Sequence, residues 1–400
     1  MPDPARRRLF SGVRRRARRT GRSATVKWFR LQQRLRALLD SFLSNVRRGE
    51  HAFVVGTAAL IGVAVGYGAI GFRLLIAGIA DLVTGSSELT LAQLAALPWW
   101  LKLTAPPLGG LAVGLLLTRT AQEARGSGVP EVMEAVARLG GAIRFRVIAV
   151  KAFAAAITIG TGGSAGREGP IVQIGSAIGS TVGQFLGVSA RRLRTFVACG
   201  AAAGIAATFN APIAGTLFSV EVVLGDYAFA SLAPIVIAAV VATVVSRHYL
   251  GDTPAFDIPA FELVSSRELL LYGGLGLAAG LAAVLFIRML YRTQDLFDAS
   301  TIKPWLRPAV GGLLVGLIAQ PFPQVLGVGY ATINAALWGQ TAVLVLLLIV
   351  AKMAATSLTL GSGGSGGVFA PTLVMGASLG GAWGHMASNF FPDWTGGGGA

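Results

Sequence analysis

Two glycine-rich stretches decide the fold of this 400-residue chain, GTGGSAGREGP at residues 160–170 and GSGGSGGVFAP at residues 361–371. Both follow the frame G-x-G-G-S-x-G-x-x-x-P, and 201 residues separate them. When Lys151–Ser180 is placed on Lys352–Gly381, 11 of 30 positions are identical. Glycine is abundant here, but six fixed positions of one frame are not explained by abundance. The chain therefore contains an internal repeat.

Each copy joins an apolar helix to a glycine-rich break, after which Pro170 or Pro371 opens a second apolar stretch. Proline suits the first turn of a helix because no N–H is needed there. Glycine lets the backbone turn sharply and approach a ligand closely. A helix N-terminus presents unpaired N–H groups and about half a positive charge. Two such termini that meet near mid-membrane predict an anion-binding site.

The composition predicts a membrane protein. Hydrophobic residues make up 54% of the chain and charged residues only 13%, with a mean hydropathy of +0.66. An apolar stretch from Phe53 to Val83 is long enough to span a bilayer. Several later apolar blocks are shorter than the ~20 residues that a crossing needs, which indicates discontinuous helices around a polar pathway. The single cysteine, Cys199, excludes an intramolecular disulfide.

Most of the basic charge lies in a tail at residues 1–50, which carries +12 of the net charge of +16. The tail lacks the apolar core of a signal peptide, so we expect it to be retained. Its position before the first span predicts a cytoplasmic amino terminus and attraction to anionic membrane lipid. We expect a solvated tail that sets topology and binds no specific nucleic acid; a nucleic-acid arm and an organellar transit peptide are the alternatives.

Two further features bear on the anion site. The sequence GSGVP at residues 126–130 contains Ser127, whose hydroxyl can donate to an anion; a turn with an N-cap for the next helix is the alternative. Glu168 is an ionisable residue at the start of an apolar segment, where function is the default hypothesis. Its carboxylate could occupy the anion site as a gate, or merely stabilise the helix dipole or pair with Arg167.

Together, these motifs resemble those of the CLC family of chloride channels and proton/chloride exchangers. The matching elements are GSGVP at 126–130, GREGP at 166–170 and GVFAP at 367–371, in the order of the family. FNAPIAG at 209–215 is also similar. The resemblance runs from about residue 51 to 400. It implies a transmembrane domain at 51–400 beside the 1–50 tail.

The resemblance implies an all-α polytopic membrane protein with two inverted repeats of discontinuous helices, at about 60–230 and 265–400. It implies a homodimer in a membrane, expected to be the cell membrane, with a chloride pore in each subunit. Glu168 would be the external gating glutamate, and chloride would be the substrate, with no cofactor. The implied chloride site comprises Ser127, Gly128, Arg167, Glu168, Gly169, Val368 and Phe369. Family members with proline in place of Ser127 resemble nitrate transporters, so Ser127 favours chloride.

One departure from the family concerns proton coupling. Val222 lies where the exchangers carry an inner proton-transferring glutamate. Valine carries no proton, so a passive, voltage- or pH-gated channel is favoured. A proton/chloride antiporter is the alternative, because some exchangers manage without that glutamate. Glu221 could substitute, but one position along a helix turns a side chain by about 100°.

A second departure concerns the later helices of the family, which supply a chloride-binding tyrosine and part of the dimer interface. No tyrosine follows Tyr330 in this sequence, so we expect the second repeat to be incomplete and the sequence to be truncated. A membrane-embedded enzyme is a distant alternative. The three histidines show no His-x-x-x-His spacing, and Cys199 lies in an apolar stretch without a partner. We therefore predict a transport protein and no enzyme.

Overall fold

The computed structural model describes residues 50–120, 122–225, 229–256, 258, 265–339 and 345–395. The chain divides into the units Met1–Thr57 and Ala58–Ala400. Of the first unit, the described residues 50–57 form the beginning of a helix. The rest of the predicted basic tail lies outside the described residues.

Helices account for the regular structure of the described residues. Up to residue 250, the described chain contains α1 (Glu50–Thr84), α2 (Leu91–Ala96), α3 (Trp99–Arg119), α4 (Val129–Arg138), α5 (Arg146–Gly160), α6 (Glu168–Phe185), α7 (Ala190–Phe209), α8 (Pro212–Phe218) and α9 (Phe229–Leu250). The second half contains α10 (Glu268–Ala299), α11 (Arg307–Ile318), α12 (Tyr330–Leu337), α13 (Val345–Gly361) and α14 (Phe369–Phe390).

The helices differ in whether they are long enough to cross a bilayer. Within the part of the chain that the structure describes, four are long and apolar enough: His51–Thr84, Trp99–Arg119, Ser231–Leu250 and Glu268–Ala299. Shorter apolar helices include Pro212–Leu224, Arg307–Ile318 and Val345–Gly361. This mixture agrees with the prediction of discontinuous helices, whose ends expose backbone that must be satisfied inside the protein.

The second copy of the repeat reproduces the first at the same spacing of 201 residues. Equivalent glycines have nearly equal left-handed backbone angles: φ is +96° at Gly162 and +98° at Gly363. Only glycine adopts such angles without strain. Element boundaries coincide as well: the 3-10 turns Gln122–Ala124 and Pro323–Val325, the first residues Val129 and Tyr330, and the first residues Glu168 and Phe369.

The two glycine-rich breaks bind to each other. Gly166 N donates to Gly367 O, and Gly367 N donates to Gly166 O, both at 2.7 Å. This exchange satisfies backbone groups that no helix satisfies at this point. Two further bonds also exchange equivalent groups between the copies: Ser164 N to Thr359 Oγ1 (3.1 Å) and Ser365 N to Thr158 Oγ1 (3.4 Å).

Two buried lysines tie the loops before α4 and α12 to the helices α5 and α13. Lys151 and Lys352 occupy equivalent positions and are completely buried. Each ammonium donates to two backbone carbonyls, 27 and 25 residues earlier in the chain. The bonds are Lys151 Nζ to Ala124 O (3.2 Å) and Gly126 O (2.9 Å), and Lys352 Nζ to Val325 O (2.9 Å) and Gly327 O (3.1 Å).

Small residues bring the backbones of neighbouring helices into direct contact. A Cβ atom on Gly200 would overlap the carbonyl of Gly175, so α6 and α7 touch through their main chains. A Cβ atom on Gly110 would likewise overlap the carbonyl of Pro308, which joins α3 to α11. Such contacts are typical of helix packing in membranes, where apolar burial alone gives little drive for association. Cys199 is fully buried in the same α7 core.

We predict that Lys352→Met lowers the free energy of unfolding by about 3 kcal/mol, because two buried carbonyls lose their donor. The measurement is unfolding in detergent by denaturant, followed by tryptophan fluorescence. Lys303→Met is the matched control, since Lys303 is exposed. Equal stabilities of the two variants would contradict the structural role of Lys352.

Candidate functional site

Three loops converge at the centre of the described residues. A Cβ atom on Gly169 would overlap the carbonyl of Ser127 and lie 3.0 Å from Gly367 Cα. A Cβ atom on Gly128, where φ is +96°, would lie 2.6 Å from Gly169 O. These backbones therefore touch, and a side chain at Gly169 would separate the loops. The structure brings together the segments that the sequence analysis selected for the anion site.

The Glu168 carboxylate lies between these loops and is almost completely buried, with 1% exposure. Its Oε2 accepts a hydrogen bond from Ala370 N (3.3 Å), at the N-terminus of α14. Its Oε1 accepts one from the hydroxyl of Tyr330 (2.6 Å). Because α14 belongs to the second repeat, the carboxylate of one repeat lies at a helix N-terminus of the other. A negative group thus occupies a position suited to an anion.

The structure places the Arg167 side chain against an aromatic ring. Its guanidinium lies over the ring of Tyr330, 4.6 Å from the centroid. Its Nε is buried and has no hydrogen-bond partner among the described residues. The contact is a cation–π interaction, and it holds the Tyr330 ring beside Glu168.

The sequence analysis missed the role of Tyr330, although the signal was present. Extending the 201-residue alignment towards the amino terminus places Gly327 on Gly126 and Gly329 on Gly128. Tyr330 then falls on the valine of GSGVP. The loop before α12 is therefore the second copy of the predicted Ser127 loop.

The loop at Ser127 serves as a helix cap. Gly128 N donates to Glu131 Oε2 (2.9 Å), so a carboxylate already binds that amide. This is the turn and N-cap that the sequence analysis left as an alternative for GSGVP. Ser127 itself is half-buried. A hydroxyl role for Ser127 and a cap at Gly128 are compatible, because different atoms perform them.

The first turn of α14 supplies the remaining predicted ligands. Val368 is half-buried and immediately precedes α14, and Phe369 is 41% exposed. The first amides of a helix have no partner within the helix. The Phe369 ring packs on Phe209, with centroids 5.7 Å apart. Phe256 contacts both Phe209 (6.1 Å) and Tyr330 (5.4 Å), which completes an aromatic chain beside the site.

Val222 lies in the π-helical turn Ser219–Leu224. It is half-buried and lines a cavity of about 700 Å³ together with Arg191 and Arg194. Its neighbour Glu221 is exposed. The valine side chain offers no proton-binding group to this cavity.

A second cavity, of about 490 Å³, includes Arg167 and Tyr330 in its wall. Two cations in the wall have partners already: Arg73 pairs with Glu88 (3.0 Å), and Lys102 Nζ donates to Ala95 O (3.3 Å). In the described part of the chain, no three His, Cys, Asp or Glu side chains are placed to hold a metal ion.

Comparison with known proteins agrees with this geometry. The family model described as voltage gated chloride channel matches residues 109–398. A ClcB-like chloride channel protein of Ralstonia nicotianae is 39% identical over 336 residues, covering 82% of this chain and 77% of that protein. The H(+)/Cl(-) exchange transporter ClcA of Citrobacter koseri is 34% identical over 349 residues, covering 84% and 73%. The voltage-gated ClC-type chloride channel ClcB of Escherichia coli is 32% identical over 343 residues, covering 84% and 81%.

Solved structures share the fold. A slow cyanobacterial Cl-/H+ antiporter superposes with a TM-score of 0.72 at 24% identity, covering 85% of this chain and 81% of that chain. A CLC-type fluoride/proton antiporter gives the same TM-score and identity, covering 86% and 82%. The predicted family resemblance and the predicted all-α membrane fold are both confirmed. This chain belongs to the CLC family of voltage-gated chloride channels and their exchanger relatives.

Proposed function

We propose that this protein carries chloride across a membrane through a CLC-type pore, passively as a channel, with Glu168 as the gate. The observation that carries the proposal is the buried Glu168 carboxylate at the N-terminus of α14. A carboxylate and a chloride ion carry the same charge, so the two compete for one position. Protonation removes the charge of the carboxylate and lets it leave.

Backbone and hydroxyl groups give the site its preference for anions. The amides of Val368 and Phe369 precede the one that Glu168 binds, and the Ser127 loop contacts the same centre. The buried ammonium groups of Lys151 and Lys352 bind loop carbonyls. Chloride therefore meets amides and a hydroxyl, from which it dissociates more easily than from an unpaired cation.

Val222 supports conduction without proton coupling, because no proton can be held at that position. The alternative is proton/chloride exchange. It is supported by the 34% identity to the ClcA exchange transporter of Citrobacter koseri. The two functions share the gate and differ in whether a proton crosses with each cycle.

The proposal includes the setting of the pore. The protein resides in the cell membrane as a homodimer, with its amino terminus in the cytoplasm and its basic residues against anionic lipid. Chloride is the substrate, and transport needs no cofactor and no enzymatic step. The excess of arginine before the first span supports the orientation.

Glu168→Gln is expected to raise chloride efflux from proteoliposomes at neutral pH and to remove its dependence on pH. Glutamine carries no charge at any pH, so the anion position stays open. Glu134→Gln is the matched control, because Glu134 is exposed and pairs with Arg138. An unchanged pH dependence in Glu168→Gln would show that Glu168 is not the gate.

A chloride gradient imposed on proteoliposomes is expected to drive no uphill proton movement, as reported by a pH-sensitive dye. The reason is that Val222 holds no proton. Chloride flux in the same vesicles is the internal control, since it must be present for the result to count. Uphill proton transport would establish the exchanger and refute the channel.

Ser127→Pro is expected to lower the ratio of chloride to nitrate flux about tenfold, because a hydrogen bond to a charged group is lost. Ser127→Thr keeps a hydroxyl and serves as the control. Both ratios are measured by ion-selective electrodes on proteoliposome efflux. Equal ratios in wild type and Ser127→Pro, or a wild-type preference for nitrate, would remove Ser127 from the selectivity mechanism.

A further inference from the structure

Tyr330 makes a contact that an anion site built from helix N-termini does not require. Its hydroxyl lies 2.6 Å from Glu168 Oε1. This distance is typical of a charge-assisted hydrogen bond from a hydroxyl to a carboxylate. The residues are 162 positions apart and belong to different repeats. Tyr330 is therefore a donor from one half of the protein to the carboxylate of the other.

The contact breaks the symmetry of the repeat. Tyr330 is the first residue of α12, and its equivalent Val129 is the first residue of α4. Valine has no donor, so the first repeat cannot supply the same bond. The asymmetry matches the position of Glu168, which has Phe369 as its own equivalent. One acid and one donor thus occupy non-equivalent places in two similar halves.

The surroundings fix the Tyr330 ring before any ion arrives. Arg167 lies over one face at 4.6 Å from the centroid. Phe256 packs edge-on, at 5.4 Å and 82°. The backbone is held by Gly329, where φ is +93°, and by the bond from Lys352 to Gly327 O. A hydroxyl held in place loses little entropy when it binds the carboxylate.

We propose that Tyr330 is a positioning residue that latches the Glu168 carboxylate in the anion position and thereby sets the pH at which the pore opens. The proposal rests on the proposed gating role of Glu168. The latch stabilises the ionised, closed carboxylate and gives no equal benefit to a protonated one that has left. Opening the pore therefore requires breaking this bond as well as neutralising the charge.

Other charged groups lie around the gate, and the positive charge of Arg167 attracts the Glu168 carboxylate; Tyr330→Phe leaves Arg167 in place. Arg167 lies on the ring of Tyr330, and Glu131 accepts from Gly128 N. Lys151 from α5 and Lys352 from α13 bind loop carbonyls. Among the described residues, the donors that reach the Glu168 carboxylate are Tyr330 and the Ala370 amide. The Tyr330 hydroxyl is the side-chain contribution that a substitution can remove.

The test is the pH profile of chloride efflux in Tyr330→Phe proteoliposomes. Phenylalanine keeps the ring, and so the contacts with Arg167 and Phe256, and removes only the hydroxyl. The pH of half-maximal efflux is expected to rise by about one unit, since an ionised carboxylate loses a hydrogen bond. In a Glu168→Gln background, the same substitution is expected to have no further effect on the profile.

Tyr272→Phe is the matched control, because the Tyr272 hydroxyl also donates to a glutamate, Glu268 (3.3 Å), away from the gate. Its profile is expected to match the wild type. A Tyr330→Phe profile that also matches the wild type would overturn the latch, and so would a loss of chloride affinity at an unmoved pH. If Glu168→Gln itself kept the pH dependence, the proposed gating role of Glu168 would be refuted. That outcome is distinct from a failure of the latch alone, in which Glu168→Gln removes the pH dependence and Tyr330→Phe leaves the profile unchanged.

Discussion

The structure depends on the pairing of two glycine-rich breaks, in which Gly166 and Gly367 exchange backbone hydrogen bonds. Helices that stop inside an apolar layer leave amides and carbonyls that only protein can satisfy. The breaks satisfy each other at Gly166 and Gly367, and the N-terminus of α14, which follows the second break, binds the Glu168 carboxylate through Ala370 N. The buried lysines bind the carbonyls of the neighbouring loops. The first amides of a helix have no partner within the helix, and such a terminus is suited to an anion.

The same constraint explains why the net charge of the chain says little about the site. Most of the +16 lies in residues 1–50, whereas the gate contacts are an amide and a hydroxyl. Lys151 and Lys352 donate hydrogen bonds to loop carbonyls and thereby stabilise the loops. In the proposed mechanism the pore attracts an anion without trapping it, because an amide dipole binds an anion more weakly than an unpaired cation does. In the same proposed mechanism, Glu168 supplies the competing negative charge that closes this site.

Much of this was accessible from the sequence, because glycine frames, proline positions and apolar length are local signals. They predicted the repeat, the broken helices and the loops at Ser127, Glu168 and Val368. The Tyr330 contact was not predicted, since a bond over 162 residues depends on how two loops cross. The cap on Gly128 was within reach, because Glu131 stands at the capping-box spacing. The function of the buried lysines needed their carbonyl partners, which no spacing reveals.

The central claim is that backbone amides at the paired breaks bind the anion. Anomalous diffraction from bromide-soaked crystals of Glu168→Gln tests it most directly, because bromide replaces chloride and scatters distinctively. The account predicts a bromide peak beside Ala370 N, where the carboxylate of Glu168 lies in the wild type. A bromide peak found instead beside Arg73 or Lys102 in the cavity wall, with none at the helix N-terminus, would contradict it.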